Sequence, residues 1–289
     1  MLQLRKENLN KNELDVLISL QNEINTYDIF ADKVQIAQTL WNSKGSAVGK
    51  KSFDKIKETL KGMCVAVNAC NYCEGNVAND IEHIYPKSFF PEQTFIWENY
   101  LLACKQCNTG EKLDKCYVMD NTGNVYETAR GREPGYKNIA FINPRIENPL
   151  KYIWLNLETG EFELNDGLNK FEKNKAKKTI EILSLNEKDY LIEGRKSARK
   201  AYYNEMDRLR RIMEAPTIAQ IEDLIDPYQQ QLDQTQPLMT IKEHIKNATR
   251  EHLKKMLYPS VWQAIKDTES RINPKWIHIF EIIPESLNW

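Results

Sequence analysis

No stretch of this chain is apolar for long enough to cross a bilayer. Runs such as Ile277-His-Ile-Phe-Glu-Ile-Ile283 fall far short of the ~20 residues a spanning helix requires. The first eight residues, Met1-Leu-Gln-Leu-Arg-Lys-Glu-Asn8, hold no apolar signal-peptide core. A cytoplasmic location is therefore expected, where thiols stay reduced. A surplus of one charge is also missing: 40 Lys and Arg against 41 Asp and Glu leave a net −1. That balance excludes a protein gripping nucleic acid through an overall basic surface. There is no internal repeat and no phosphate-cradling Gly-x4-Gly-Lys-Ser/Thr loop. What remains is ordinary globular composition, 41% apolar and 10% aromatic over 289 residues, enough for one large domain or two moderate ones.

Cysteine is the informative residue. Cys70-Asn-Tyr-Cys73 and Cys104-Lys-Gln-Cys107 form two C-x-x-C knuckles 30 residues apart (74–103). Two such knuckles in one short segment are the pattern of a tetrahedral four-thiolate zinc site, each turn offering two sulfurs. A disulfide would strain so tight a turn, and a redox motif needs a single C-x-x-C in a βαβ setting. Cys64 and Cys116 are left over and read as buried thiols, with Cys64 a possible substitute ligand.

The clamp encloses an insert longer than a minimal zinc ribbon. Asp80 to Tyr85 alternates like a short strand that Pro86 ends. Asn108, Thr109, Glu111 and Lys112 are expected to open a helix with Cys107 or Asn108 near its N-cap. Glu82, His83, Asn99 and Asn108 thus gather inside one small module. An imidazole can take a proton from water near neutral pH. Carboxylate and amide oxygens suit Mg2+ or Mn2+ better than a second zinc. Lys112, one turn past Asn108, is a candidate phosphate contact or an ordinary exposed helix lysine. Residues 63–116 carry four lysines against seven acids, so phosphate must be gripped mainly from elsewhere.

As a set, Glu82-His83-x-x-Pro86, Trp97-x-Asn99 and Cys104-x-x-Cys107-Asn108-x-x-x-Lys112 resemble the HNH endonucleases of the ββα-metal type, over about residues 68–116. The resemblance implies His83 as general base on the first strand and Asn99 as the middle residue of the trio. It implies Asn108 as a ligand of the catalytic ion, with Glu82 as a second ligand and Asp80 as its fallback. Further out, Cys70-x-Tyr72-Cys73-Glu74, Asn143-Pro, Asn148-Pro and Thr179-Ile-Glu-Ile-Leu-Ser-Leu-Asn186 follow in order. With the motifs above they resemble the HNH nuclease subunits of Septu-type and retron-linked antiphage systems, over about 52–200. That likeness implies an ABC-type, SMC-like ATPase as partner, since this chain has no phosphate loop of its own. Other readings stay open: a non-catalytic zinc-held module binding a partner or nucleic acid, and a stand-alone HNH restriction enzyme. A zinc deaminase fits poorly, because its His-x-Glu and Pro-Cys-x-x-Cys signature meets Glu82-His83 and Ala103 here.

Around this module an α+β chain is expected: a helical region at 1–62, the zinc-clamped nuclease module at 63–120, a β-hairpin extension at 121–168 and a helical region at 169–289. Helical spacing appears at 11–26, 30–43 and 52–61, the last capped by Ser52 and ended by Gly62. Hairpins are expected at Tyr117–Thr128 and Tyr152–Leu164. A long helix runs from Glu187 to about Ala215 with Asn186 as its cap. Thr217 and Thr240 open two more as capping boxes, Pro227 limits the first, and 234–237 reads as a linker. Residues 170–211 hold 13 Lys and Arg against seven acids. Arg195, Lys196, Arg199 and Lys200 there are either nucleic-acid contacts or one solvated helix face. His244, His252 and His278 read as structural.

Overall fold

A computed structural model describes residues 1–113, 115–225, 233 and 235–289. The architecture is mixed α+β, with helices at both ends and three small antiparallel sheets between them. Helices α1 (Lys11–Asn25), α2 (Phe30–Ser43) and α3 (Ala47–Met63) come first. Their apolar stripes bury Leu17, Leu20 and Ile24, then Ala37 and Leu40, then Phe53, Ile56, Leu60 and Met63. α3 starts five residues before Ser52. The Ser46 hydroxyl accepts from the Gly49 N–H and caps it, while Ser52 is buried on the inner face. α1 also holds the insert: Gln21 accepts from the Phe95 N–H and donates to the Pro91 carbonyl.

Strands β1 (Asp80–His83) and β2 (Tyr100–Ala103) pair antiparallel, with Glu82 opposite Leu101 and His83 opposite Tyr100. β2 is buried along its whole length. The chain then enters a π-helical turn, Gln106–Lys112. Asn108 is its third residue and not a cap, because the Lys105 backbone is already helical and the Asn108 N–H reaches Cys104 O at 2.9 Å. Both expected hairpins form, β3 (Tyr117–Met119) with β4 (Val125–Glu127) and β6 (Ile153–Leu155) with β7 (Phe162–Leu164). A strand not read from the sequence, β5 (Asn138–Ile139), adds to β3. Its two residues are too few for any alternation to register.

α4 (Lys170–Ile182) opens on a capping box between Asn169 and Glu172. α5 (Asp189–Glu214) follows, but Asn186 does not cap it. The Asn186 amide instead takes both backbone groups of Phe162, tying the helix approach to β7. Thr217 caps the short α6 (Ile218–Glu222) as expected, whereas α7 (Leu238–Leu253) starts ahead of Thr240, after Pro237. Pro227 and the first residue of the 234–237 linker lie outside the described residues. The chain closes with α8 (Pro259–Ala264), a π turn (Ile265–Glu269), α9 (Ser270–Ile272) and α10 (Pro274–Ile282). Tyr202, Trp262, Trp276 and Phe280 stack there.

This last region backs the first knuckle. Tyr258, in left-handed backbone at φ 58°, brings its hydroxyl between two glycines. A Cβ on Gly75 would stand 2.3 Å from that oxygen, and one on Gly194 2.2 Å, so only glycine fits either place. The Glu74 carboxylate accepts from the Ser260 N–H at 2.9 Å. The main hydrophobic core runs from Met1 to Ile283, and Ile212, Ala215, Ile221 and Ile241 form a second, smaller cluster where α5, α6 and α7 meet.

Candidate active site

The four knuckle cysteines are buried and unpaired by disulfides. Their sulfurs all lie within 4.8 Å of one another, Cys73 and Cys104 at 3.9 Å. Tetrahedral Zn–S bonds of about 2.3 Å place sulfurs roughly 3.8 Å apart, so the donor set fits a metal ion such as zinc. Local backbone explains the convergence. An Ala69–Val77 bridge and the Cys70 N–H to Asn76 O bond fold the first knuckle, and β2 delivers Cys104 directly. Hydrogen bonds from Cys107, Cys70 and Cys73 pull Cys104 far below the ordinary thiol range. The same cluster, with burial, holds Cys107 far above it. Without a cation the sulfurs cannot all ionise, and a divalent ion removes that conflict.

Alternation along β1 sends His83 and Glu82 to opposite faces. His83 is buried among aromatic rings, with Trp41 of α2 at 4.2 Å between ring centroids and Tyr100 at 5.2 Å. Its Nε2 lies 3.0 Å from the Thr94 carbonyl oxygen. A carbonyl only accepts, so Nε2 carries the proton and Nδ1 is the basic nitrogen. Burial pushes the imidazole well below its usual range, and the charges of Lys87, Lys112 and Lys44 add to that. His83 is therefore neutral, and able to take a proton, throughout physiological pH.

Asn99 fixes the loop that supplies Thr94. Its Oδ1 accepts from the Tyr85 N–H at 2.7 Å, while its Nδ2 donates to Tyr85 O at 3.1 Å and Gln93 O at 2.8 Å. At about 1 kcal/mol net per bond, Asn99→Ala is expected to lower stability by about 3 kcal/mol. Urea denaturation measures this, and a change under about 0.5 kcal/mol would show that the loop holds itself.

On the other face, the buried Lys112 ammonium meets Glu82 Oε1 at 2.6 Å and donates to the His83 carbonyl at 2.7 Å. Lys112 is thus not an exposed helix lysine and is not placed to meet phosphate. The π turn carries it inward, where its ammonium lies 5.7 Å from the Phe141 ring centroid. Burial pushes the Glu82 carboxyl up, and Lys112 and Lys87 only partly pull it back. Asn108 is half-buried, four residues before Lys112 on the same turn, and Asp80 lies two residues before Glu82 on β1. Among the described residues, the four-cysteine set is the one cluster of three or more His, Cys, Asp or Glu side chains able to hold a metal ion.

The basic run of α5 does not stay together as a surface patch. Arg195 is buried, donates to Gly160 O and lies over the Phe162 ring. Arg199 pairs with Glu269 and donates to Leu157 O. Arg195 is thus a structural anchor beneath the hairpin, while Arg199 is partly exposed and tied to the C-terminal region. Lys196 pairs with Glu193 and Lys200 is exposed. The sequence reading missed Trp41, Lys44 and the Thr94 carbonyl as neighbours of His83. Trp41 is visible there only as one apolar position of a helix, with no signal of what it faces.

No protein-family model matches the chain, and no solved structure matches it. Over 184 residues, 62% of this chain, the sequence is 25% identical to the Septu protein PtuB of Bacillus thuringiensis. The chain spans 58% of that protein's length. The similarity is to a Septu protein, in line with the Septu-type resemblance of the motifs.

Proposed function

We propose that this chain is a metal-dependent HNH endonuclease that hydrolyses the phosphodiester bonds of nucleic acid, DNA being the favoured reading and RNA the alternative. In this reading it is the effector of a Septu-type antiphage complex working beside an ABC-type, SMC-like ATPase. The observation that carries the reading is His83. Its Nε2 proton is committed to Thr94 O, its basicity is trimmed by burial, and Glu82 is adjacent on a strand held within a four-cysteine clamp.

Hydrolysis requires a base to take a proton from water, and a neutral Nδ1 does so without first being deprotonated itself. Glu82 and Asn108, with Asp80 in reserve, offer oxygen donors of the kind Mg2+ or Mn2+ takes. Bound there, the ion would supply charge stabilisation at the phosphate. The Glu82 carboxylate is held by Lys112, so the ion has to displace that ammonium. The defence role rests on the similarity to PtuB and on the order of the outer motifs. The ATPase partner accounts for a chain with no phosphate loop of its own.

The Glu82–Lys112 pair also favours a second reading, a zinc-held interaction module without activity. Zinc-replete protein incubated with plasmid DNA or total RNA, with Mg2+ or Mn2+, and again with the ATPase subunit and ATP, separates the two. Metal-dependent cleavage is expected once the partner is present. Cleavage by the chain alone would identify a stand-alone nuclease, and no cleavage in any mixture would leave the interaction module. The acid limb of the pH–rate profile is expected below the ~6.5 of a free imidazole, because the folded His83 binds its proton less tightly. A limb above that value would contradict the assignment.

A further inference from the structure

We propose that the C-terminal end of α2 completes the candidate site, with the Lys44 ammonium receiving the anionic oxygen of a nucleic-acid phosphodiester beside His83. This rests on the hydrolase reading for its substrate class. Lys44 ends α2 in left-handed backbone at φ 58°, its N–H bonded to Leu40 O at 2.7 Å, and Gly45 follows at φ 73°. The turn is held from α3 as well. A Cβ on Gly49 would fall 1.8 Å from the Lys44 carbonyl oxygen, so that approach requires glycine.

The fixed backbone aims the side chain at the site. Lys44 Nζ lies 3.0 Å from the Trp41 ring centroid and 4.4 Å from that of Phe53. Trp41 is the ring that packs on His83, and Lys87 Nζ approaches the same indole at 5.9 Å. Two cations from separate elements therefore converge next to a neutral imidazole.

Neighbouring lysines have carboxylates: Lys55 has Glu13, Lys61 has Glu58, Lys112 has Glu82. Among the described residues no carboxylate is within ion-pair distance of Lys44. The aromatic faces offset part of the cost of half-burying an ammonium, yet burial and the charge of Lys87 still bring Lys44 down to about 7. An ammonium that has a like charge nearby and no carboxylate of its own is relieved by an incoming anion. A phosphodiester is the anion whose hydrolysis the adjacent base would serve. The module's acidic balance leaves phosphate to be gripped mainly from outside residues 63–116, and Lys44 lies outside them.

The test uses full-length, zinc-loaded protein and a short fluorescent DNA or RNA duplex, with Ca2+ in place of Mg2+. Lys44→Gln is expected to weaken binding about tenfold and lower the salt-dependence slope by about one, with melting and zinc content unchanged. Lys44→Arg should keep most of the affinity. In wild-type protein, saturating duplex should protect Lys44 from amine acylation, which needs no variant to fold. Unchanged affinity and slope in Lys44→Gln, or an unprotected Lys44 in the complex, overturns the proposal. Lys44-independent binding with His83-dependent cleavage sinks only this inference. Lys44-dependent binding without cleavage sinks only the hydrolase reading.

Discussion

Cys104→Ser is expected to empty the chain of zinc and to unfold the segment between the knuckles. The four sulfurs join a loop backed by Tyr258 and Ser260, the end of β2 and the start of the π turn. These parts are otherwise linked by a few hydrogen bonds, such as those from Asn71 to Leu102 O and from the Asn108 N–H to Cys104 O. β1 and β2 are four residues each, and a two-stranded sheet so short is not stable by itself. Structural zinc in comparable sites is worth about 10–16 kcal/mol, against about 5–15 kcal/mol for a whole domain. The loss therefore exceeds what the remaining core can absorb locally. Metal analysis should find one zinc per wild-type chain and none in the variant, with the variant's melting transition lowered or broadened. Wild-type protein that is purified without zinc and melts like the variant would remove the clamp from the account.

Lys112→Ala should cost about 3–5 kcal/mol, the usual penalty for leaving one partner of a buried ion pair alone. Glu82 would keep its charge in an apolar setting, and the His83 carbonyl would lose its donor. A double variant, Glu82→Gln with Lys112→Met, should recover much of the loss, since replacing both charges removes the desolvation cost. The pH dependence has a definite sign. The folded carboxyl of Glu82 already sits above its unfolded range, so the folded state binds the proton more tightly. Stability from this group is full below the unfolded pKa and is lost as pH rises through the folded one. Removing Lys112 raises the folded value further, so the gap between variant and wild type should narrow on going from pH 7 toward pH 5. Denaturant titrations at the two pH values check both points. A gap that is constant with pH would mean that Glu82 is not the group left exposed to burial.

Much of this was legible because it is local. The C-x-x-C spacing fixes which sulfurs can share an ion, and Asp80 to Tyr85 alternates visibly before Pro86, although β1 itself ends at His83. Thr217 announces its helix through a short-range cap. Where the reading failed, a distant partner decided. Lys112 reads as a surface lysine until the π turn and β1 place Glu82 over it. Arg195 reads as part of a basic face until the second hairpin covers it. Asn186 has the makings of a cap but finds the backbone of Phe162 instead. Ser46 is hidden by Val48 and Gly49, which look unlike the start of a helix. The Trp41 and Lys44 contribution was invisible for the same reason: nothing in residues 41–45 says that a strand some forty residues later will lie against them.

The most direct measurement is cleavage of DNA and RNA by wild-type and His83→Ala protein at equal zinc content, with Mg2+ or Mn2+ and with the ATPase subunit and ATP present. Unchanged melting and zinc content with at least a ~100-fold loss of cleavage, the scale of general-base catalysis, is the expected result. Equal cleavage by a folded, zinc-loaded His83→Ala protein would contradict the account.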